Sequence, residues 1–192
     1  MLTYLSLAQI PRLLADNVWP PPLSTRGSGV NIAVIDTGVD SHFDFGGRLG
    51  INQNFGMDST HVPIEPSHHG THVAGIIGAQ QGNGDGIQGV APSCILWNLK
   101  ASSRFQDGNV VGYPFFTGDV IEALTYCRQN NAHVINMSFA GPVDIEAEAA
   151  ALAECFNAGI VLVAGAGNTR QQETARFPAA HPGRPTSCAG RR

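Results

Sequence analysis

Two short stretches decide the fold expected of this chain. Residues 34–40 read Val-Ile-Asp-Thr-Gly-Val-Asp, and residues 69–75 read His-Gly-Thr-His-Val-Ala-Gly. The first stretch places Asp36 at the end of an apolar run, which is typical of a buried strand. The second places His69 at the start of a helical run of small residues. A carboxylate and an imidazole in these settings are a candidate orienting acid and a candidate base.

The composition indicates one globular domain. The chain has 192 residues, of which 43% are hydrophobic and 14% charged, and its net charge is −4. This balance gives no reason to expect nucleic acid or an anionic membrane as a partner. No apolar run approaches the length of a membrane span. Residues 1–7 lack a basic segment and an Ala-x-Ala cleavage site, so no secretory signal is evident and the localisation stays open.

The four cysteines are far apart in the sequence and form no Cys-x-x-Cys pair, which argues against a zinc or redox motif. Three of them lie in apolar runs, so we expect small buried hydrophobic side chains there, while a disulfide stays open. The four are Cys94, Cys127, Cys155 and Cys188.

Short β-branched runs alternate with helical patterns after an irregular N-terminal segment, residues 1–29. This alternation predicts an α/β fold, doubly wound, with a mainly parallel sheet and helices on both faces. Asp119 is the expected cap of the second helix. The predicted strands are residues 31–36, 94–100, 133–139 and 160–164, the predicted helices 69–80, 118–130 and 144–157, and the predicted loops 49–67 and 80–89.

Three polar side chains follow the ends of predicted strands: Asp36, Ser138 and Asn168. Because ligand sites of such sheets collect at the carboxyl ends of the strands, these residues are expected to share one site.

Five motifs occur in an order that resembles the subtilase family, the subtilisin-like serine proteases, over residues 15–180. One such motif alone would be weak, but five in order make coincidence improbable. The motifs are residues 34–40, 69–75, Gly-Val-Ala-Pro at 89–92, Val-Ile-Asn-Met-Ser at 134–138, and 163–168. The resemblance implies a subtilisin-like sheet over residues 30–183.

The resemblance also implies catalytic roles. His69 is similar to the family's general base, Asp36 to the carboxylate that orients it, and Asn168 to the asparagine that donates to the oxyanion. Each residue type also has a simpler explanation. Asp-Thr-Gly is turn chemistry, an asparagine is tolerated in a positive-φ turn, and a histidine can lie in the core or, with His68 and His72 at helical spacing, bind a metal.

An extended peptide or protein is the substrate that the resemblance implies. Residues 138–141, which are Ser138, Phe139, Ala140 and Gly141, match the segment that pairs with the substrate as an added strand. Phe139 and Ala140 depart from the family's Leu and Gly. Residues 100–102, which are Lys100, Ala101 and Ser102, are the expected opposing rim.

Calcium is the cofactor that the resemblance suggests. Asp44 and the glycine-rich loop 82–87, through Asn83, are similar to the family's loop-based cation site, and oxygen ligands of this kind suit Ca²⁺. A flexible glycine-rich turn without a metal is an equally good interpretation.

The nucleophilic serine is the member of the triad that this sequence lacks. The family places it in a Gly-Thr-Ser-Met-Ala stretch well beyond the oxyanion asparagine, but 24 residues follow Asn168 here. The atypical tail, residues 184–192, contains Thr-Ser-Cys-Ala around Ser187, where too few residues follow to form a helix. We therefore expect a domain truncated at its C-terminus and an inactive chain, or alternatively a non-catalytic pseudoprotease that binds an extended peptide.

Overall fold

The computed structural model describes residues 25–84, 86–167 and 176–181, and the backbone of residues 186–189. Three α-helices, a short 3-10 helix (Phe43–Phe45) and eight strands follow one another along this part of the chain. The helices are α1 (His69–Gly78), α2 (Thr117–Gln129) and α3 (Glu146–Asn157). The strands are β1 (Asn31–Asp36), β2 (Leu49–Asn54), β3 (Ile95–Lys100), β4 (Phe105–Asp107), β5 (Val110–Gly112), β6 (Val134–Met137), β7 (Val161–Gly165) and β8 (Thr186–Ala189).

Six strands form one parallel sheet in the order β2-β3-β1-β6-β7-β8. β1 is internal, and its Ile35 lies opposite Leu99 of β3 and Met137 of β6. The buried apolar runs of these internal strands suit a sheet that is covered on both faces. The predicted α/β, mainly parallel fold is confirmed.

Alternate residues of β1 pack against different helices, which places helices on both faces of the sheet. Ala33 and Ile35 belong to the apolar cluster that includes the buried faces of α2 and α3. Ile32 and Val34 belong to the cluster that includes Ala74 of α1. Because successive side chains of a strand point to opposite faces, β1 separates the two cores and places its last residue, Asp36, at the sheet's carboxyl edge.

Four strands lie where the sequence predicts none. β2 falls in the predicted loop 49–67. It pairs with β3 alone at the edge of the sheet, where Asn52 and Gln53 are exposed and Asn54 is half-buried, so it has no apolar pattern typical of a buried strand. β4 and β5 form an exposed antiparallel hairpin that turns at Gly108, whose φ is +56°. β8 lies in the tail and pairs with β7.

Two predicted helix starts are also wrong. α2 begins at Thr117, so Asp119, the predicted cap, lies within the first turn. Burial raises the pKa of Asp119, and its carboxyl is hydrogen-bonded to Ser103 instead. α3 begins at Glu146 instead of residue 144, and Asp144 lies before the helix, with its Oδ1 3.2 Å from Nδ1 of His181.

The three cysteines predicted to be buried are so, and they are free thiols. Burial raises the pKa of Cys94 and of Cys155 to about 11, and it raises that of Cys127 further. The side chain of Cys188 lies outside the described residues. Among the described helices, none combines the length and the apolar character needed to cross a membrane.

Candidate active site

Asp36 is the last residue of β1, and its side chain is fully buried. Its Oδ1 accepts a hydrogen bond from the backbone N–H of Thr37 at 2.7 Å. Its Oδ2 has no partner among the described residues. A buried carboxylate is costly unless it is paired, so the group that satisfies Asp36 is decisive for the site.

That group is His69, the first residue of α1. Its Nδ1 lies 2.8 Å from Oδ1 of Asp36, while about half of the His69 side chain is exposed. Because an ionised carboxylate only accepts, we assign the imidazole proton to Nδ1, which leaves Nε2 as the free base. The hydrogen bond with Asp36 raises the pKa of His69 against the opposing effect of burial. The structure therefore brings the predicted acid and base together in the arrangement of a catalytic dyad.

The close approach of α1 to β1 depends on Gly70. A Cβ at this position would overlap the carbonyl oxygen of Gly38 and lie 3.1 Å from Oδ1 of Asp36. The small residue after His69 therefore lets the helix start directly on the strand end that carries the acid.

Glu65 is a functional candidate that the sequence analysis missed. It is buried, and its Oε1 accepts from the backbone N–H of His69 at 2.6 Å and from the hydroxyl of Thr37 at 3.0 Å. The signal in the sequence is an acid four residues before the helix start, because acidic side chains favour the N-terminal end of a helix.

The predicted peptide-binding segment 138–141 follows β6 and is half exposed. The ring of Phe139 stacks on Phe115 at a centroid distance of 4.3 Å. Gly141 exchanges two backbone hydrogen bonds with Phe177, so its backbone is already paired. Asn168, the predicted oxyanion donor, lies outside the described residues.

The opposing rim, residues 100–102, has buried side chains. Lys100 is fully buried, and its ammonium is bonded to both carboxylate oxygens of Asp58 at 2.5 Å. The Lys100 carbonyl accepts from Phe55, and the Ala101 N–H donates to the carbonyl of Asp36. These contacts are internal, so this segment offers a peptide neither the Lys100 ammonium nor those backbone groups.

The remaining predicted pair, Asp44 and Asn83, is in direct contact. Oδ1 of Asp44 accepts from the Asn83 amide at 2.6 Å, and Oδ2 accepts from the N–H of Ile87 at 3.0 Å. The glycine-rich loop thus wraps the carboxylate of Asp44.

Known proteins are similar to this chain over most of its length. A sequence model of the subtilase family of peptidases matches residues 27–185, which is most of the chain. The chain belongs to the subtilase family. Among its relatives, the thermophilic serine proteinase of Bacillus sp. (strain AK1) is 36% identical over 152 residues, 78% of this chain and 36% of that protein. Subtilisin E of Bacillus subtilis (strain 168) is 37% identical over 160 residues, 81% of this chain and 39% of that protein.

Two solved structures share the subtilase fold. The S41 psychrophilic protease has a TM-score of 0.68 and 31% identity, over 80% of this chain and 50% of that chain. MycP1 with its N-terminal propeptide removed has a TM-score of 0.56 and 28% identity, over 76% and 45%. This subtilase chain therefore spans about half or less of the length of these relatives.

Proposed function

We propose that this chain carries the acid–base part of a subtilisin-like serine endopeptidase, with His69 as the general base and Asp36 as the carboxylate that orients it. The observation that supports this most directly is the 2.8 Å contact between Nδ1 of His69 and the fully buried Oδ1 of Asp36. Membership of the subtilase family makes a peptide or protein the expected class of substrate.

The proposed chemistry follows from the two nitrogens of His69. With Nδ1–H donated to Asp36, the lone pair of Nε2 takes the proton of a serine hydroxyl as that oxygen attacks a peptide carbonyl. The imidazolium that forms is stabilised by the adjacent carboxylate, which favours the protonated ring. His69 then returns the proton to the leaving amine.

We further propose that the 192-residue chain does not complete this reaction, because its sequence offers no serine in the required setting. Ser187 is in β8, where it is aligned with Val163 of β7, and is not at the head of a helix. β8 is three strands from β1 in the sheet, which at about 4.8 Å per strand is roughly 14 Å. A nucleophile has to lie within about 3 Å of its base.

The test is an activity assay of the full chain on a fluorogenic peptide, together with labelling by a fluorophosphonate. Subtilisin serves as the positive control, and the Ser187→Ala and His69→Ala variants serve as matched controls. We expect no turnover above the variants and no label. Turnover that is lost in both variants would refute the proposed inactivity.

We also propose that an extended peptide binds along residues 138–141, at the part of this segment before Gly141, whose backbone N–H and carbonyl are paired with Phe177. Support comes from the position of this half-exposed segment, directly after β6 and beside the strand that carries Asp36. Peptide binding without hydrolysis would be measured by fluorescence anisotropy of a labelled, uncleavable peptide. Binding that Ala140→Pro leaves unchanged would contradict this placement, because proline removes a backbone donor.

Calcium is the cofactor that we propose for Asp44 and Asn83. Asp44 is buried, and within the described ranges its carboxylate accepts hydrogen bonds but forms no ion pair, so a bound cation would supply the opposite charge. In the same part of the chain, no three acidic, histidine or cysteine side chains cluster as metal ligands. The other ligands would therefore be amide and backbone oxygens of the loop. We expect Ca²⁺ to raise the melting temperature of the chain, and Asp44→Asn to abolish that increase.

A further inference from the structure

The carboxylate of Glu65 accepts four hydrogen bonds from three residues. Oε1 accepts from the N–H of His69 at 2.6 Å and from the hydroxyl of Thr37 at 3.0 Å. Oε2 accepts from the N–H of Ser67 at 2.6 Å and from its hydroxyl at 2.5 Å. The side chain is buried, so these donors replace the water that an exposed carboxylate would bind.

These contacts form a closed circuit of hydrogen bonds that includes both members of the dyad. Thr37 follows Asp36 in the chain, and its hydroxyl donates to Glu65. Glu65 in turn accepts from the backbone N–H of His69, and the imidazole of His69 is hydrogen-bonded to Asp36. The hydroxyl of Thr37 also accepts from the N–H of Gly70 at 3.0 Å. The first two N–H groups of α1, which lack partners within the helix, are therefore held by Glu65 and Thr37.

The residue in the ordinary capping position does not perform this task. His68 has a φ of +49° and makes no side-chain hydrogen bond to the helix. Its ring is paired with Asp40 at 2.6 Å. Glu65, four residues before α1, instead supplies the carboxylate that accepts from the first N–H group of the helix.

We propose that Glu65 is the positioning residue of the dyad: its carboxylate fixes the start of α1 against the end of β1 and so holds His69 beside Asp36. This inference rests on the proposed role of His69 as the base. Glu65 would touch neither substrate nor reacting atoms, and it would act through His69.

The charge on Glu65 is retained near neutral pH. Burial acts to raise the pKa of Glu65, but the hydrogen bonds from Ser67, His69 and Thr37 outweigh it and hold that pKa below its ordinary value. The charges that raise the pKa of His69 are those of Asp36 on β1 and Glu65 in the preceding loop. The neighbouring titratable pair is His68 with Asp40.

The test measures His69 directly by NMR on the full chain and needs no turnover. Glu65→Gln keeps an acceptor oxygen but removes the charge, and Glu65→Ala removes both. Glu154→Gln is the matched control, because it deletes one negative charge from an exposed ion pair between Glu154 of α3 and Arg128 of α2. We expect the His69 pKa to shift downward in Glu65→Gln and to stay unchanged in Glu154→Gln. In Glu65→Ala the downfield Nδ1 proton signal should also be lost.

If Glu65 only caps α1 and has no influence on the dyad, the Glu65 variants should have a lower melting temperature, but the His69 pKa and the Nδ1 proton signal should stay unchanged. That result would overturn the proposal. If both variants fail to fold, the wild-type chain carries the test: the ring signals of His69 should respond when Glu65 is protonated in acid, and no response would overturn it.

A different result is expected if the proposed function itself, with His69 as a base oriented by Asp36, is wrong. In that case the wild-type chain itself would lack the downfield Nδ1 proton, and Asp36→Asn would leave the His69 pKa unchanged.

Discussion

Replacement of Gly70 by alanine tests the close approach of α1 to β1. Gly70 has ordinary helical geometry, so alanine should favour the helix by about 0.5–1 kcal/mol if nothing else changed. The new Cβ would, however, overlap the carbonyl of Gly38 and lie 3.1 Å from Asp36. A backbone carbonyl cannot rotate away as a side chain can, so the helix start has to move off the strand end.

The helix provides its own control. A Cβ at Gly75, in the same helix and also buried, would meet only Cδ1 of Ile87 at 3.4 Å, an ordinary contact. Gly75→Ala should therefore raise the free energy of unfolding by the propensity gain alone. Gly70→Ala has the same gain but also the cost of overpacking, about 1–3 kcal/mol and near the upper end for a backbone clash. We expect Gly70→Ala to be less stable than Gly75→Ala by about 2–3 kcal/mol.

Parallel urea denaturation of both variants and the wild-type chain, followed by circular dichroism, measures this difference. The Nδ1 proton signal of His69 should weaken in Gly70→Ala alone, because the displaced helix carries the ring away from Asp36. A Gly70→Ala variant as stable as Gly75→Ala would refute the argument that glycine is required for this approach.

Three further predictions concern buried charge, pH and thiols. Asp58→Ala leaves the Lys100 ammonium buried and unpaired, so urea denaturation should show a loss of about 3–5 kcal/mol, most of it recovered when Lys100→Met is added. Because the His69 pKa is raised, the free energy of unfolding of the wild-type chain should exceed that of Asp36→Asn by the largest amount below the ordinary pKa of about 6.5. This difference in free energy should narrow as the pH rises through the raised pKa. In a Cys188→Ser chain, the buried thiols should react with a disulfide reagent only after unfolding, as stopped-flow absorbance would show.

The central part of the fold could be predicted because its residues follow simple periods. β1 is a continuous apolar run with buried residues on both faces, and its predicted bounds, residues 31–36, match the structure. β2 could not be predicted in this way. Its sequence, Leu-Gly-Ile-Asn-Gln-Asn, mixes polar and apolar residues because the strand lies at the edge of the sheet and is half exposed.

The site was predictable only where motifs carry it. Asp36 and His69 are placed by motif and are confirmed as neighbours. Glu65 was missed because it lies in the loop before α1, where no periodicity marks the residue that accepts from the helix start. Lys100 was predicted to line a peptide groove but is buried, because Asp58, 42 residues away, provides its counter-charge. Such a long-range pairing leaves no local pattern in the sequence.

The ion pair between Lys100 and Asp58 also constrains which substitutions this protein can accept during evolution. Loss of either partner leaves an unpaired charge buried in the protein. A lineage that changes only one of the two positions therefore passes through a poorly folded intermediate. A chain with neutral residues at both positions has no such unpaired charge. Positions 58 and 100 should therefore change together among relatives. In a related sequence that has lysine at position 100, we expect a residue of the facing loop to supply its counter-charge.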